Sequence, residues 1–183
     1  MNKFITLLIV FTFAAASLTT IAADKNYTTS KNKVVSLEPF DFLFNGRINA
    51  TFETKMGASN SLTINGSYWD LSKYWSAFGL GASYRWYLDP FEEGKKALNG
   101  LSVGPRIDFF FWTYDYSSVI SGHKSETSSS FAIGGEVNYK WAFGDGGKWV
   151  IEPTLKLMFP VRKADGLSGY SSYGFGVNLG YAF

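Results

Sequence analysis

The sequence predicts an all-β protein, an eight-stranded antiparallel up-and-down transmembrane β-barrel. Segments in which apolar and polar residues alternate recur along the chain with turn residues between them, which is typical of strands with one apolar and one polar face. Aromatic residues make up 19% of the chain, yet the mean hydropathy is −0.03 because polar residues are interleaved with them. Segments such as 101–114 and 149–159 are also long, whereas strands of soluble proteins mostly have about 5 or 6 residues.

The first element is an export signal that precedes the barrel. Lys3 is followed by an apolar run over residues 4–16 and then by small residues up to Ala23, which is the pattern of a cleaved secretory signal peptide. The apolar run is shorter than the roughly 20 residues that a spanning helix needs. We therefore expect a signal peptide over 1–23, a flexible lead-in over 24–33 and the barrel over 34–183.

Six barrel strands follow directly from the alternation, at 61–68, 78–88, 101–114, 131–143, 149–159 and 174–183. Turn signals separate them. We assign 54–59, 89–100 and 144–147 to the periplasmic side, and 69–75, 115–128 and 160–169 to the outside. A soluble β-sandwich would also alternate, but the strand lengths favour a membrane barrel.

Aromatic residues also group near the two sets of predicted strand ends, as in the aromatic girdles of membrane barrels. One group is Trp86, Tyr139, Trp141, Trp149, Tyr181 and Phe183, and the other is Tyr68, Trp69, Trp75, Tyr114, Phe159 and Tyr173. Both groups support the membrane barrel.

The stretch 42–52 decides the number of strands, since it can form one strand or two strands joined at Asn45-Gly46. Asn-Gly between alternating residues favours a two-residue hairpin, and bacterial single-chain barrels have even strand numbers. The stretches "SLEPFDFLF", "SVGPRIDFF" and "VIEPTLKLM" share a spacing around Pro, which indicates three equivalent strands, each with a bulge at its Pro. We therefore predict strands over 34–44 and 47–55, a tight outer hairpin between them, and eight strands in all.

The inward-facing positions of these strands carry charges of both signs. An eight-stranded barrel is just wide enough to be filled by its own side chains, and buried charges are tolerated when they are paired. We predict an interior plug of ion pairs formed by Arg47, Glu53, Arg85, Arg106, Asp108, Glu136, Lys140, Glu152 and Lys156. A selective pore would show one dominant sign of charge, whereas these residues carry both signs. A narrow pore is therefore the alternative to the plug.

His123, the single histidine, lies two residues before Ser125 in a predicted outer loop. A histidine within hydrogen-bond reach of a serine can act as its general base. The pair is therefore the candidate catalytic site of a lipid-modifying hydrolase, and it resembles the His-x-Ser pair of outer-membrane lipid A deacylases. Those enzymes hold the pair on a strand, followed by Asn, whereas Glu126 follows here. A solvated loop histidine also explains the sequence, and we expect no enzyme activity.

Composition argues against several other functions. The chain has no cysteine and one histidine, so no disulfide, metal site or cofactor is predicted. A net charge of +2 without a basic stripe argues against nucleic-acid binding. "GDGGK" (144–148) joins two strands and opens no helix, so it is not a phosphate loop.

The expected state is a monomer in outer-membrane lipid, and four outer-loop cations could contact lipopolysaccharide phosphates: Lys73, Lys124, Arg162 and Lys163.

Four stretches carry a resemblance to a known family: "NKVVSLEPFDFLFNGRINATFE" (32–53), "SLTI" (61–64), "ASYRWYL" (82–88) and "GFGVNLGYAF" (174–183). In them the chain resembles small outer-membrane β-barrels of Bacteroidota and related bacteria, described as a domain of unknown function. Phe52-Glu53 departs from the Tyr-Glu usual in that family. The resemblance implies the outer membrane of a Gram-negative-type bacterium and a terminal Phe183 that the assembly machinery reads, and it assigns no catalytic residue. We expect a structural, envelope-maintenance or surface-interaction role.

Overall fold

The computed structural model describes residues 31–72, 74–88, 97–118, 122–162 and 173–183, and eight antiparallel strands close a barrel in it. The strands are β1 (Lys33–Leu37), β2 (Arg47–Lys55), β3 (Asn60–Ser72), β4 (Trp75–Tyr87), β5 (Gly100–Ser118), β6 (Gly122–Phe143), β7 (Trp149–Arg162) and β8 (Tyr173–Ala182). Each pairs with its neighbours in chain order, and β8 pairs with β1. The predicted fold class and strand number are confirmed. The predicted signal peptide and residues 24–30 of the predicted lead-in lie outside the described residues, and Lys33, the last residue of that lead-in, already belongs to β1.

The barrel wall has an apolar outside and a polar inside. On β5, Ile107, Phe109 and Phe111 are exposed, whereas Arg106 and Asp108, which alternate with them, are buried. Soluble proteins show the reverse, with their apolar residues inside. The alternation predicted from the sequence therefore places its apolar face on the outer surface, as in strands that contact lipid.

The predicted tight hairpin at Asn45-Gly46 is wrong. The segment 34–44 divides into β1 and a short helix, α1 (Pro39–Asn45). Gly46 ends the helix with a left-handed φ of 68°, and its N–H donates to the carbonyl of Phe42 at 3.0 Å, which is a common helix C-terminus. No helix in the described part of the chain is long and apolar enough to cross a membrane.

The register between β1 and β2 explains why a helix forms here. Leu37 pairs with Ala50, so continued pairing would place Phe40 opposite Arg47. A two-residue turn would instead require Phe44 opposite Arg47. The chain has four residues more than the register can use, and α1 accommodates them, because a helix rises only 1.5 Å per residue against about 3.3 Å for a strand.

The predicted bulges at the prolines are also wrong. Pro39 begins α1, and Pro at the first helical position is favoured because its missing N–H would have no partner there. Pro105 in β5 and Pro153 in β7 interrupt pairing with the preceding strand, but the register is the same on both sides of each. Register shifts lie elsewhere, between β3 and β4 near Asp70 and between β6 and β7 near Phe131.

The outer hairpins contain more strand than predicted. The stretch 115–128 was predicted to be a loop, but β5 continues to Ser118 and pairs there with Gly122 of β6. Likewise, strand structure occupies much of the predicted loop 69–75. Turns at 56–59 and 144–147 are present as predicted, the second as one 3-10 turn, Asp145–Gly147. The predicted turns 89–100 and 160–169 lie mostly outside the described residues.

Aliphatic side chains close the barrel end that carries the C-terminus. Leu98, in the short segment before β5, is fully buried and has a positive φ of 75°. It packs with Val34 of β1, Val150 of β7 and Ala182 of β8. These four side chains form an apolar cluster at this end of the lumen.

Candidate functional site: the charged barrel interior

The middle of the lumen holds seven charged side chains, which we call the ionic layer. They are Glu53, Arg85, Arg106, Asp108, Glu136, Lys140 and Glu152, and each residue is at most 5% exposed. They come from β2, β4, β5, β6 and β7. All seven are among the nine residues that the sequence placed in an interior plug.

Arg85 joins three carboxylates from three other strands. Its Nη1 donates to Glu53 Oε2 at 2.8 Å and to Glu152 Oε1 at 3.2 Å, and its Nε donates to Glu136 Oε1 at 2.5 Å. A guanidinium group carries five N–H donors in a fixed plane, so one arginine can serve all three carboxylates. Arg85 therefore connects β4 to β2, β6 and β7 through the lumen.

Lys140 strengthens the same group from β6. Its ammonium contacts Glu53 and lies 2.8 Å from Glu152 Oε2. The hydroxyl of Tyr87 donates to Glu53 Oε1 at 2.7 Å, and the ammonium of Lys140 lies 5.9 Å from the centroid of the Tyr87 ring. Tyr87 was not predicted as part of the plug, although its inward position on β4 was visible in the alternation.

Arg106 completes the layer. Its Nη1 donates to Glu136 Oε2 at 2.8 Å and its Nε to Asp108 Oδ2 at 3.0 Å, while the Ser83 hydroxyl donates to Glu136 Oε1 at 2.7 Å. Every charge in the layer thus contacts an opposite charge, as burial at low dielectric requires. In the part of the chain that the structure describes, no group of three or more His, Cys, Asp or Glu side chains could hold a metal ion.

The other two predicted plug residues, Arg47 and Lys156, form their ion pairs with carboxylates outside the ionic layer. β1 pairs with β8 only from Val34 to Leu37. Beyond that point α1 lies between β2 and residues 173–178 of β8, and we call this part of the wall the seam. Arg47 begins β2, which borders the seam, and Lys156 lies on β7, one strand further away, with its ammonium 3.9 Å from Glu38 Oε2.

A chain of polar contacts crosses the seam. We call it the seam network, formed by Glu38, Asp41, Arg47, Asn49 and Lys156. Glu38 Oε2 accepts from Asn49 Nδ2 at 3.0 Å and lies 3.9 Å from Lys156 Nζ. Asp41 accepts from both Arg47 and Asn49. The sequence analysis did not predict either acid, because it assigned both to a strand in which inward and outward positions exchange at Pro39.

Aromatic side chains fill the lumen at the end opposite Leu98. Trp69 and Trp112 lie 5.9 Å apart between ring centroids, and Phe110 lies 6.0 Å from Trp112. The Trp112 Nε1 donates to Ser130 Oγ at 2.9 Å. Trp69 was predicted in an outer aromatic girdle, but it faces the lumen, because it is in phase with the inward-facing Ser67.

The candidate catalytic pair lies on a strand and not in a loop. His123 pairs with Ser117, and Ser125 pairs with Asp115, in the β5–β6 hairpin. Residues two apart on a strand face the same side. Ser125 is exposed, and the side chain of His123 lies outside what the structure describes.

Comparisons with known proteins bear on the fold alone. The crystal structure of the N-terminal β-barrel domain of Pseudomonas aeruginosa OprF is similar to this chain, with a TM-score of 0.48 and 10% sequence identity. The match covers 85% of this chain and 98% of that one. No family model and no curated protein sequence matches this chain.

Proposed function

We propose that the protein is an integral outer-membrane barrel with a non-enzymatic structural, envelope-maintenance or surface-interaction role, and that its lumen does not conduct. The ionic layer carries this proposal. Its seven side chains are buried and paired across five strands. A selective pore, by contrast, needs a lining of one dominant charge or an open polar path.

Three successive layers oppose the passage of an ion. The aliphatic group around Leu98 closes one end, the ionic layer fills the middle, and the aromatic group around Trp112 narrows the other end. An ion entering the middle would have to separate charge pairs at low dielectric, which costs several kcal/mol for each buried charge left unpaired. The structure of the lumen therefore supports a barrel that does not conduct ions.

The outer surface supports placement in a bilayer. Trp149 and Tyr181 are exposed and pack edge to face at one barrel end, 5.4 Å between centroids, and Tyr68 and Tyr173 are exposed at the other. Such aromatic residues are enriched at membrane interfaces. The signal-peptide pattern and the resemblance to small barrels of Bacteroidota extend the proposal to a monomer in the outer membrane of a Gram-negative-type bacterium. Phe183 would then engage the assembly machinery.

Conductance in planar bilayers tests the closed lumen. We expect the purified barrel to show no stepwise conductance at voltages where a porin control conducts. Resistance of the inserted barrel to protease should be verified in the same preparation. Reproducible steps from the inserted barrel would contradict the proposal and favour the narrow pore.

The hydrolase remains the second candidate, because His123 and Ser125 lie two residues apart on β6. Vesicles that contain lipopolysaccharide should release no acyl chains when the barrel is present. If chains were released by the wild type and by a Ser129→Ala control on the same strand, but not by His123→Ala or Ser125→Ala, the non-enzymatic role would be wrong.

A further inference from the structure

The seam is the one part of the described wall where a helix replaces strand pairing. β8 pairs with β7 along residues 173–181 but with β1 only over 179–182. α1 has seven residues, and isolated helices shorter than about 12–15 residues are marginal in water. The position of α1 therefore depends on what holds it to the wall.

Polar contacts on the inner side hold α1. Phe40, Phe42, Leu43 and Phe44 are 46–71% exposed, whereas Asp41 is buried. At the end of α1, the carbonyl of Asn45 accepts from Trp69 Nε1 at 2.9 Å. The apolar side chains of α1 are thus exposed and not packed against the barrel, and attachment to the barrel rests mainly on the seam network.

The charges of the seam network divide by segment. Both acids, Glu38 and Asp41, belong to α1 and the residue before it, whereas Arg47 belongs to β2 and Lys156 to β7. If α1 moves away, both carboxylates leave and both cations stay, next to the amide of Asn49. Arg47 then loses the carboxylate of Asp41 and Lys156 loses that of Glu38, while Glu136 remains opposite Lys156 in the β6–β7 register. A cation that loses a partner in a half-buried place favours an anion that replaces it.

We propose that the seam is a binding site for the anionic headgroup of an outer-leaflet amphiphile, and that the carboxylates of α1 occupy this site in the closed state. The phosphate or carboxylate of the amphiphile displaces Glu38 and Asp41 and binds Arg47 and Lys156. Its acyl chain remains in the bilayer, where the phenylalanines of α1 lie. α1 acts as a lateral gate in this exchange, and the site opens sideways through the wall. For this reason the ligand comes from the membrane and not from solution.

This inference rests on the proposed placement of the barrel in a membrane, and its test uses that setting. The described residues and the full sequence contain no cysteine, so two cysteines can carry spin labels without background. Labels at Leu43 on α1 and at Ile133 on β6, both exposed, report the distance from gate to wall. The barrel is placed in nanodiscs of zwitterionic lipid and titrated with dodecyl phosphate.

Dodecyl phosphate should create a second, longer distance population that grows to saturation. Dodecyl maltoside, which has the same chain without charge, and inorganic phosphate, which has the charge without a chain, should leave the distances unchanged. The double variant Glu38→Gln/Asp41→Asn should open at dodecyl phosphate concentrations lower by roughly tenfold or more, because the competing carboxylates are gone. Arg47→Gln/Lys156→Gln should abolish the response.

A matched control removes two cations from the opposite end of the barrel, Lys55→Gln/Lys148→Gln, and should respond as the wild type does. An unchanged wild-type distance with dodecyl phosphate would overturn the gate. An equal response to dodecyl maltoside would mean disruption by detergent, and an equal response to inorganic phosphate would mean a soluble ligand, and either would overturn the proposal. Failure of the membrane placement would appear separately, as loss of nanodisc insertion in every variant.

Discussion

The wall between β5 and β6 and the wall at the seam are closed by different means. All nineteen residues of β5 pair with β6, whereas β1 pairs with β8 at only four positions, residues 34–37. In the first region the backbone itself closes the wall. At the seam, side-chain charges bring a helix against the two strands beside it.

The cations in the two regions also differ in burial, whereas the carboxylates of both regions are buried. Arg85 in the ionic layer has a side chain 2% exposed, whereas the side chains of Arg47 and Lys156 at the seam are 27% and 22% exposed. Removing one partner of a deeply buried pair leaves an uncompensated charge, and water relieves this cost where the pair is partly exposed. The ionic layer should therefore determine global stability, while the seam should open locally.

The largest effect is expected from Arg85→Met, which leaves three buried carboxylates without their shared cation. We expect the free energy of unfolding to fall by about 3–5 kcal/mol. Urea titration of the barrel in lipid vesicles, followed by tryptophan fluorescence, measures it. Arg47→Gln at the seam is the comparison and should cost only about 1 kcal/mol, because Asn45 and Asn49 still donate to the Asp41 carboxylate. Equal losses in the two variants would remove the distinction between the regions.

A smaller effect is expected where the backbones of β4 and β5 approach closely. A Cβ at Gly104 would overlap the carbonyl of Tyr84, whereas a Cβ at Gly135 on the next strand would lie 3.4 Å from its nearest neighbour. Gly104→Ala should cost about 1–3 kcal/mol in the same urea titration, since the strands must separate. Gly135→Ala should be nearly neutral, and a cost as large as that of Gly104→Ala would contradict close approach as the cause.

The faces of the strands could be predicted because they depend on local alternation. Along a strand, inward residues such as Arg106 and Asp108 alternate with outward residues. Once one residue is assigned to a face, the faces of all the other residues in that strand follow. The sequence therefore indicated the members of the ionic layer, but not which cation meets which carboxylate. Arg85 and Glu152, for example, lie on strands that are not neighbours.

The helix at the seam could not be predicted because its cause is not local. Phe40, Phe42 and Phe44 alternate as in a strand, and Asn45-Gly46 supplies a hairpin signal. The register that rules out this hairpin is set lower in the barrel, where Leu37 pairs with both Ala50 and Leu179. Register depends on strands distant in sequence, so local preferences were overruled there.

Asp41→Asn should loosen the seam without unfolding the barrel. The change removes the charge that pairs with Arg47, and we expect a cost of about 1 kcal/mol or less, as for partly exposed pairs. Hydrogen–deuterium exchange should become faster in residues 38–46, while the amides of β5 and β6 remain protected. Asp145→Asn, in an exposed turn, is the matched control. Faster exchange throughout the barrel would show that the seam is not an independent unit.

The smallest effect on stability is expected from Gly176→Ala on β8, although its local effect should be clear. A Cβ at Gly176 would overlap the carboxylate of Glu38, whereas one at Gly174 on the same strand would meet nothing within 4 Å. The tip of a flexible side chain can rotate away, so we expect a global loss of only a few tenths of a kcal/mol, within the range of ordinary surface substitutions. Glu38 would nonetheless lose its hydrogen bond from Asn49, and exchange in residues 38–46 should increase in Gly176→Ala but not in Gly174→Ala. If the two alanines behaved alike, Glu38 would not be one of the contacts that hold α1 to the wall.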